Sequence, residues 1–134
     1  MKKLILILIL VLSENTLANE HYFCFKEKLS SKYTLLLSQD FSHVRYYPNK
    51  KNIALKLKEQ TIIDDGENTQ TNHVFGYYLY EKIDGNTNGI YFFEQQKNKI
   101  DHVQYLNYRT KKETSFIRVL YDDLDSEFLK NICL

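Results

Sequence analysis

The sequence between residues 74 and 121 reads VFGYYLYEKI-DGNTNG-IYFFEQQ-KNK-IDHVQYLNYR-TKKE-TSFIRVLY, in which apolar-rich runs alternate with short polar connections. The runs are rich in Tyr, Phe, Ile and Val, which fit half-buried strands. The connections are of hairpin length and carry turn residues, including Gly85 and Gly89, which can adopt positive φ. Strands joined so tightly are antiparallel. This segment therefore predicts a meander of the strands Val74–Ile83, Ile90–Gln96, Ile100–Arg109 and Thr114–Tyr121.

The first half of the chain continues the same alternation less clearly. It predicts strands at Tyr22–Lys28, Lys32–Gln39, Phe41–Tyr47 and Ile53–Lys58. A helix is the main alternative for the last of these, because Ala, Leu and Lys are good helix formers. The wholly polar run Asp64–Asn72 predicts a loop.

The C-terminal tail has a different period. Leu124, Phe128 and Ile132 recur every four residues, and acidic residues precede them as at a helix start, so we expect a helix within residues 123–132. The fold class that follows is mainly β: an antiparallel meander forming a small barrel or a strongly curved sheet, with a short C-terminal helix.

The N-terminus has the order of a secretory signal peptide. Lys2 and Lys3 precede the apolar run Leu4–Leu12, and polar residues then lead to Ala18, the expected cleavage position. The run is too short to span the hydrocarbon core comfortably, although an uncleaved anchor is the alternative. Residues 1–18 are therefore interpreted as a signal peptide and residues 19–134 as one domain, periplasmic or secreted, without stable membrane insertion after cleavage.

Charge excludes one class of partner. Cleavage would remove two of the 18 basic and one of the 17 acidic residues, which leaves a balanced chain. A balanced chain has no global field to attract nucleic acid, so we expect no nucleic-acid partner.

The chain contains two cysteines, Cys24 and Cys133, near the two ends of the expected domain. In an oxidising compartment such a pair predicts one disulfide. Two free buried thiols or an intermolecular bridge are the alternatives.

Motifs for catalysis or metal binding are weak. The histidines, at positions 21, 43, 73 and 102, have no spacing typical of a metal site. Ser42 and His43 are adjacent, which on a strand would point them to opposite faces. The acidic pairs Asp64-Asp65 and Asp122-Asp123 lie in polar stretches where nothing would tune one carboxyl for acid catalysis. We therefore predict no catalytic residues, no metal and no cofactor, and expect a protein that is not an enzyme.

The meander has two different faces. One is apolar and suited to a core: Phe75, Tyr77 and Leu79; Tyr91 and Phe93; Val103 and Tyr105; Ile117, Val119 and Tyr121. The opposite face mixes aromatic with polar groups, a combination typical of protein recognition. It supplies the candidate binding residues Tyr78, Tyr80, Phe92, His102, Gln104, Tyr108 and Arg118. This assignment assumes the register of the hairpins, since a slip of one residue would exchange the faces.

The segments Gly89-Ile-Tyr91, Tyr105-Leu-Asn107-Tyr108 and Lys112-Glu-Thr-Ser-Phe116, with the cysteine placement, resemble a pattern in small uncharacterised exported β-rich proteins of Gram-negative bacteria. The resemblance implies a periplasmic β-domain and brings no catalytic residues. The opening Tyr22-Phe23-Cys24 is more weakly similar to that of periplasmic lysozyme inhibitors, which are small disulfide-bonded β-barrels. Their Ser-Gly-x-x-Tyr loop has no counterpart here, so their mechanism is not carried over.

Two functions follow as expectations. The first is a non-enzymatic binding protein, of the inhibitor or immunity type, that engages an envelope or secreted protein partner through the mixed aromatic–polar face. The alternative is a small-ligand carrier with an aromatic-lined β-barrel pocket. Large aromatic side chains tend to fill a small barrel, which argues against the carrier.

Overall fold

Eight antiparallel strands run in chain order around a closed barrel. The structure is a computed structural model and describes residues 20–30, 32–63 and 73–134. The strands are β1 (Tyr22–Glu27), β2 (Thr34–Ser38), β3 (His43–Tyr47), β4 (Asn52–Ile63), β5 (Val74–Ile83), β6 (Asn86–Gln96), β7 (His102–Asn107) and β8 (Glu113–Arg118). Each strand pairs with the next, and β1 pairs with β8 to close the sheet. The predicted antiparallel β fold is confirmed, as a closed barrel. The expected signal peptide and the loop Asp64–Asn72 lie outside the described residues.

The segment 53–58 is a strand, as predicted, and not the competing helix. It belongs to β4, which continues to Ile63 because its second half pairs with β5 as far as Ile63 opposite Val74. Pairing with β3 involves only the first residues of β4, from Asn52 to Ala54. The β4–β5–β6 part of the sheet is therefore much longer than β1–β2–β3.

The β5–β6 hairpin is tighter than the sequence predicts. Only Asp84 and Gly85 form the turn, and both have positive φ, 51° and 80°. This combination is typical of the two-residue turn whose twist matches that of the flanking strands. The expected connection of residues 84–89 is therefore wrong in length, since residues 86–89 belong to β6. Gly89 serves a different purpose, described below.

The predicted inward face holds for β5, β6 and β7 but is wrong for β8. Phe116 pairs with the inward Val103 and is only 4% exposed. Its neighbour Ile117 pairs with His102 and is 48% exposed, and Tyr121 is 63% exposed. The cross-strand pairing fixes this register, and an alternating pattern alone gives no way to choose between Phe116 and Ile117.

The barrel interior is filled by side chains from every strand. Its buried members are Phe25, Leu35, Leu37, Val44, Leu79, Tyr91, Phe93, Ile100, Val103 and Phe116, and the partly buried Ile53 and Leu55 of β4 pack against them. Aromatic rings pack edge to face across it, with Phe41 at 4.8 Å from Tyr77 and 5.0 Å from Phe93 between ring centres. Edge-to-face contacts of this kind stabilise the interior in addition to the burial of the rings.

A second apolar cluster lies on the outside of β1 and β2, under the C-terminal tail. It contains Tyr22, Cys24, Leu36, Val119, Leu124 and Leu129. The predicted helix is confirmed in a shorter form, α1 (Glu127–Ile132), and Ser126 caps it by accepting a hydrogen bond from the Leu129 amide at 3.1 Å. The predicted disulfide between Cys24 and Cys133 is present and holds this tail against β1.

Candidate binding surfaces

One row of the predicted mixed face runs straight across the outside of the barrel. Tyr78 on β5 lies opposite Phe92 on β6, which lies opposite Gln104 on β7 and then Ser115 on β8. The rings of Tyr78 and Phe92 are 4.7 Å apart between centres. Both are only half-buried, and Gln104 is exposed. An aromatic pair is thus presented to solvent beside an amide group.

The next row is flanked by positive charge. Tyr80 lies opposite Lys56 on β4 and Ile90 on β6. The ammonium groups of Lys58 and Lys82 lie 5.8 and 5.7 Å from the centre of the Tyr80 ring. At this distance a cation is attracted to the ring face. Tyr80 and its two lysines therefore form a positively charged border beside the Tyr78–Phe92 row.

The remaining predicted residues do not all join this surface. His102 is exposed and adjacent to it, opposite Ile117. Tyr108 lies in the β7–β8 turn at one end of the barrel, where its amide donates to the carbonyl of Asn88 at 3.0 Å. Arg118 alternates with the outward Ile117, and its guanidinium lies 3.8 Å from the Asp101 carboxylate. We name Tyr78, Phe92, His102 and Gln104 the recognition face.

A groove of about 400 Å³ opens on the recognition face. Phe92, His102 and Gln104 line it together with Glu94, Asp101 and Lys99. Aromatic surface, both signs of charge and an amide group are therefore available to a partner at one place. Among the described residues, no three His, Cys, Asp or Glu side chains come together in a way that could hold a metal ion.

Inside the barrel lies a polar cluster that the alternating pattern did not predict. Glu81 is 5% exposed, and its carboxylate accepts hydrogen bonds from the hydroxyls of Tyr91 and Tyr105, each at 2.7 Å. Tyr46 and Tyr91 are also joined through their hydroxyls. The signal was present in the alternation: Glu81 follows Tyr77 and Leu79 on the inward face of β5. A carboxylate at a core position of a strand is a reason to expect buried polar partners.

The donor and acceptor of each hydrogen bond in this cluster follow from the number of protons available. Each tyrosine has one hydroxyl proton. Tyr91 donates its proton to Glu81, so the hydroxyl of Tyr46 must be the donor to Tyr91. Burial raises the pKa of Tyr46, Tyr91 and Tyr105, and the nearby negative charge of Glu81 raises each pKa further. All of these hydroxyls therefore keep their protons. Tyr91 and Tyr105 donate theirs to the carboxylate, and Tyr46 donates its proton to Tyr91.

The cluster borders a second cavity at the end of the barrel that carries the β5–β6 and β7–β8 turns. This cavity has a volume of about 340 Å³, and Glu81, Thr87, Asn88, Asn107, Tyr108 and Arg109 line it. We name it the end cavity. Gly89 leaves room for the Tyr105 hydroxyl to reach Glu81, because a Cβ at position 89 would lie 2.6 Å from the Tyr105 hydroxyl oxygen.

A third polar group surrounds His43 at the opposite end of the barrel. The prediction that Ser42 and His43 point apart is wrong, since Ser42 precedes β3 and its hydroxyl oxygen lies 3.1 Å from Nδ1 of His43. The Ser42 hydroxyl donates to Asp40 at 2.7 Å, and the hydrogen bonds from Ser42 lower the pKa of Asp40. Because the Ser42 proton points at Asp40, Nδ1 of His43 acts as the donor to Ser42. This order is the reverse of a nucleophile activated by a base.

Fold and surfaces together define a disulfide-closed, eight-stranded antiparallel barrel with an aromatic–polar outer face and a buried carboxylate cluster. No family model, no curated protein and no solved structure matches this chain. None of the helices among the described residues has the length and apolar character needed to cross a bilayer.

Proposed function

We propose that the chain is an exported, non-enzymatic binding protein of the inhibitor or immunity type, which engages an envelope or secreted protein through the recognition face. The observation that carries the proposal is the Tyr78–Phe92 pair, two half-buried rings in mutual contact on the outside of a barrel whose interior is already filled. A solvated sheet face is normally polar, whereas aromatic anchors at the edge of a groove are typical of protein interfaces.

Export is part of the same proposal. The chain begins with a sequence of the signal-peptide type, and its two cysteines are joined in one disulfide. Disulfides persist in the periplasm and outside the cell, where the compartment is oxidising. A binding protein of this kind would meet its partner there.

The experiment is capture of a partner by the oxidised protein spanning residues 19–134, immobilised and incubated with an envelope extract and a crosslinker. The test variant is Tyr78→Ser/Phe92→Ser/Gln104→Ala, and the matched control is Leu120→Ser/Tyr121→Ser, which removes exposed apolar residues elsewhere. We expect the control to retain a specific partner and the test variant to lose it. Equal capture by both folded variants would refute the proposal.

The carrier remains a second candidate because of one observation, the end cavity beside Glu81. The centre of the barrel is packed with aromatic and aliphatic side chains. A carried ligand would therefore sit at the end of the barrel, against the buried carboxylate, and not in an aromatic-lined interior.

A further inference from the structure

The Glu81 carboxylate is buried without a cation. No ion pair between described residues involves it, and its hydrogen-bond donors are neutral tyrosine hydroxyls. Moving a carboxylate out of water costs several kcal/mol even after relaxation, which attraction to a positive partner normally offsets. Residues that break the pattern of their own fold occur preferentially at functional sites.

The carboxylate also has unused capacity. An ionised carboxylate offers about four acceptor positions. Tyr105 uses one position on Oε1 and Tyr91 uses one on Oε2, which leaves positions on both oxygens. The end cavity is open beside Glu81 and large enough for a small organic molecule.

The lining of the end cavity adds a second charge of opposite sign. Arg109 lies on the exposed turn between β7 and β8, where its amide donates to the side chain of Asn107 at 2.9 Å. Asn88, Asn107 and Tyr108 also line the cavity. The cavity is thus lined by the nearly buried Glu81 and the exposed Arg109, together with polar residues and Ile83.

We propose that the end cavity binds a small zwitterion of amino-acid size, with its ammonium group on the Glu81 carboxylate and its carboxylate on the Arg109 guanidinium. The ammonium supplies the missing positive partner and donates to the free positions on the Glu81 oxygens. The planar guanidinium of Arg109 suits a carboxylate, which it can hold through two parallel hydrogen bonds. This site is separate from the recognition face and does not depend on the proposed protein partner.

The experiment is a titration of the ¹⁵N-labelled oxidised protein with three sets of probes. The first set contains free amino acids, the second their N-acetyl derivatives and the third the corresponding primary amines. We expect shifts confined to the amides of Glu81, Thr87, Asn88, Asn107 and Tyr108, produced by at least one free amino acid. The N-acetyl derivative, which lacks the ammonium group, and the amine, which lacks the carboxylate, should each bind at least about tenfold more weakly.

Two variants separate recognition from folding. Glu81→Gln keeps the size of the side chain and an acceptor oxygen, and should weaken binding of the free amino acid at least about tenfold while the barrel remains folded. Arg109→Gln changes an exposed turn residue and should weaken the free amino acid but not the amine. No localised shift with any free amino acid at about 10 mM, a concentration above the Kd of even weak sites, would overturn the proposal. Undiminished binding by folded Glu81→Gln would do so as well.

Discussion

The hydroxyl of Tyr105 on β7 donates to Oε1 of Glu81 on β5 at 2.7 Å, across a strand that lies between them. The intervening residue on β6 is Gly89, which pairs with both Glu81 and Asn107. Because Gly89 has no side chain, the Tyr105 ring can lie across it. The buried carboxylate cluster therefore depends on one glycine that the sequence marks only as a turn residue.

Gly89→Ala should displace the Tyr105 ring. The new Cβ would lie 2.5 Å from the Leu106 carbonyl oxygen and 2.6 Å from the Tyr105 ring, so both must move. We expect the free energy of unfolding to fall by about 1–3 kcal/mol, as for other overpacked sites. The matched control is Gly76→Ala, whose Cβ would meet the rotatable side chain of Thr61 and should cost less. Urea unfolding of both variants measures the difference, and equal losses would contradict this role of Gly89.

Phe116→Ala and Ile117→Ala test the register of β8. Phe116 is buried in the barrel and Ile117 is exposed, although the two are neighbours in sequence. We expect Phe116→Ala to lower the free energy of unfolding by about 3–5 kcal/mol. Ile117→Ala should change it by less than about 1 kcal/mol, since it removes few buried contacts. The opposite ranking in denaturant unfolding would show that the strand pairs in the other register.

The disulfide should contribute strongly to stability because it closes a long loop. Cys24 and Cys133 are 109 residues apart, and the chain-entropy model assigns such a loop about 4–5 kcal/mol. We expect Cys24→Ala/Cys133→Ala to lose up to that amount in urea unfolding. A reductant should destabilise the native chain to a similar extent and leave the double variant unchanged. Loss of stability by the double variant on reduction would contradict this interpretation.

The tyrosine cluster predicts a loss of stability in alkali. Tyr46, Tyr91 and Tyr105 have folded pKa values raised above the ordinary value of 10.0. Above pH 10 the unfolded chain releases these protons while the folded chain retains them, so the unfolded state is favoured. The free energy of unfolding should fall by about 1.4 kcal/mol per pH unit for each tyrosine until its folded pKa is reached.

Absorbance of ionised tyrosine, followed together with unfolding between pH 9 and about 12, checks this dependence. Tyr105→Phe removes one of these protons, so the free energy of unfolding should fall less steeply with pH above pH 10, by about 1.4 kcal/mol per pH unit. A native chain whose buried tyrosines titrate near pH 10 without unfolding would show that the cluster does not hold its protons.

The end of the chain illustrates how much local pattern can predict. The four-residue repeat of Leu124, Phe128 and Ile132 indicates a helix, and α1 occupies the second half of the expected range. The expected range begins at the last residue of a 3₁₀ turn, Tyr121–Asp123, which is followed by an extended Leu124. The helix starts where Ser126 can cap it, and that choice depends on how the tail packs over β1 and β2, which the pattern does not contain.

The recognition face was predictable in part. Tyr78, Phe92 and Gln104 belong to one row because β5, β6 and β7 keep the alternation that the sequence suggests. Counting along β8 predicts Arg118 on the same face, and the pairing of Phe116 with Val103 excludes it. Residue counting works within a strand, whereas the offset between strands comes from turns and bulges.

The amino-acid sequence by itself determined the β class, the antiparallel order, the C-terminal helix and the pairing of the two cysteines, because these depend on local alternation, short connections and cysteine number. Tertiary structure decided that the sheet closes, that Phe116 and not Ile117 faces inward, and that Glu81 accepts hydrogen bonds from Tyr91 and Tyr105, with Tyr46 bonded to Tyr91. Those outcomes depend on which residues lie opposite one another across separate strands. The pairing of residues on separate strands is set only when the whole barrel is assembled.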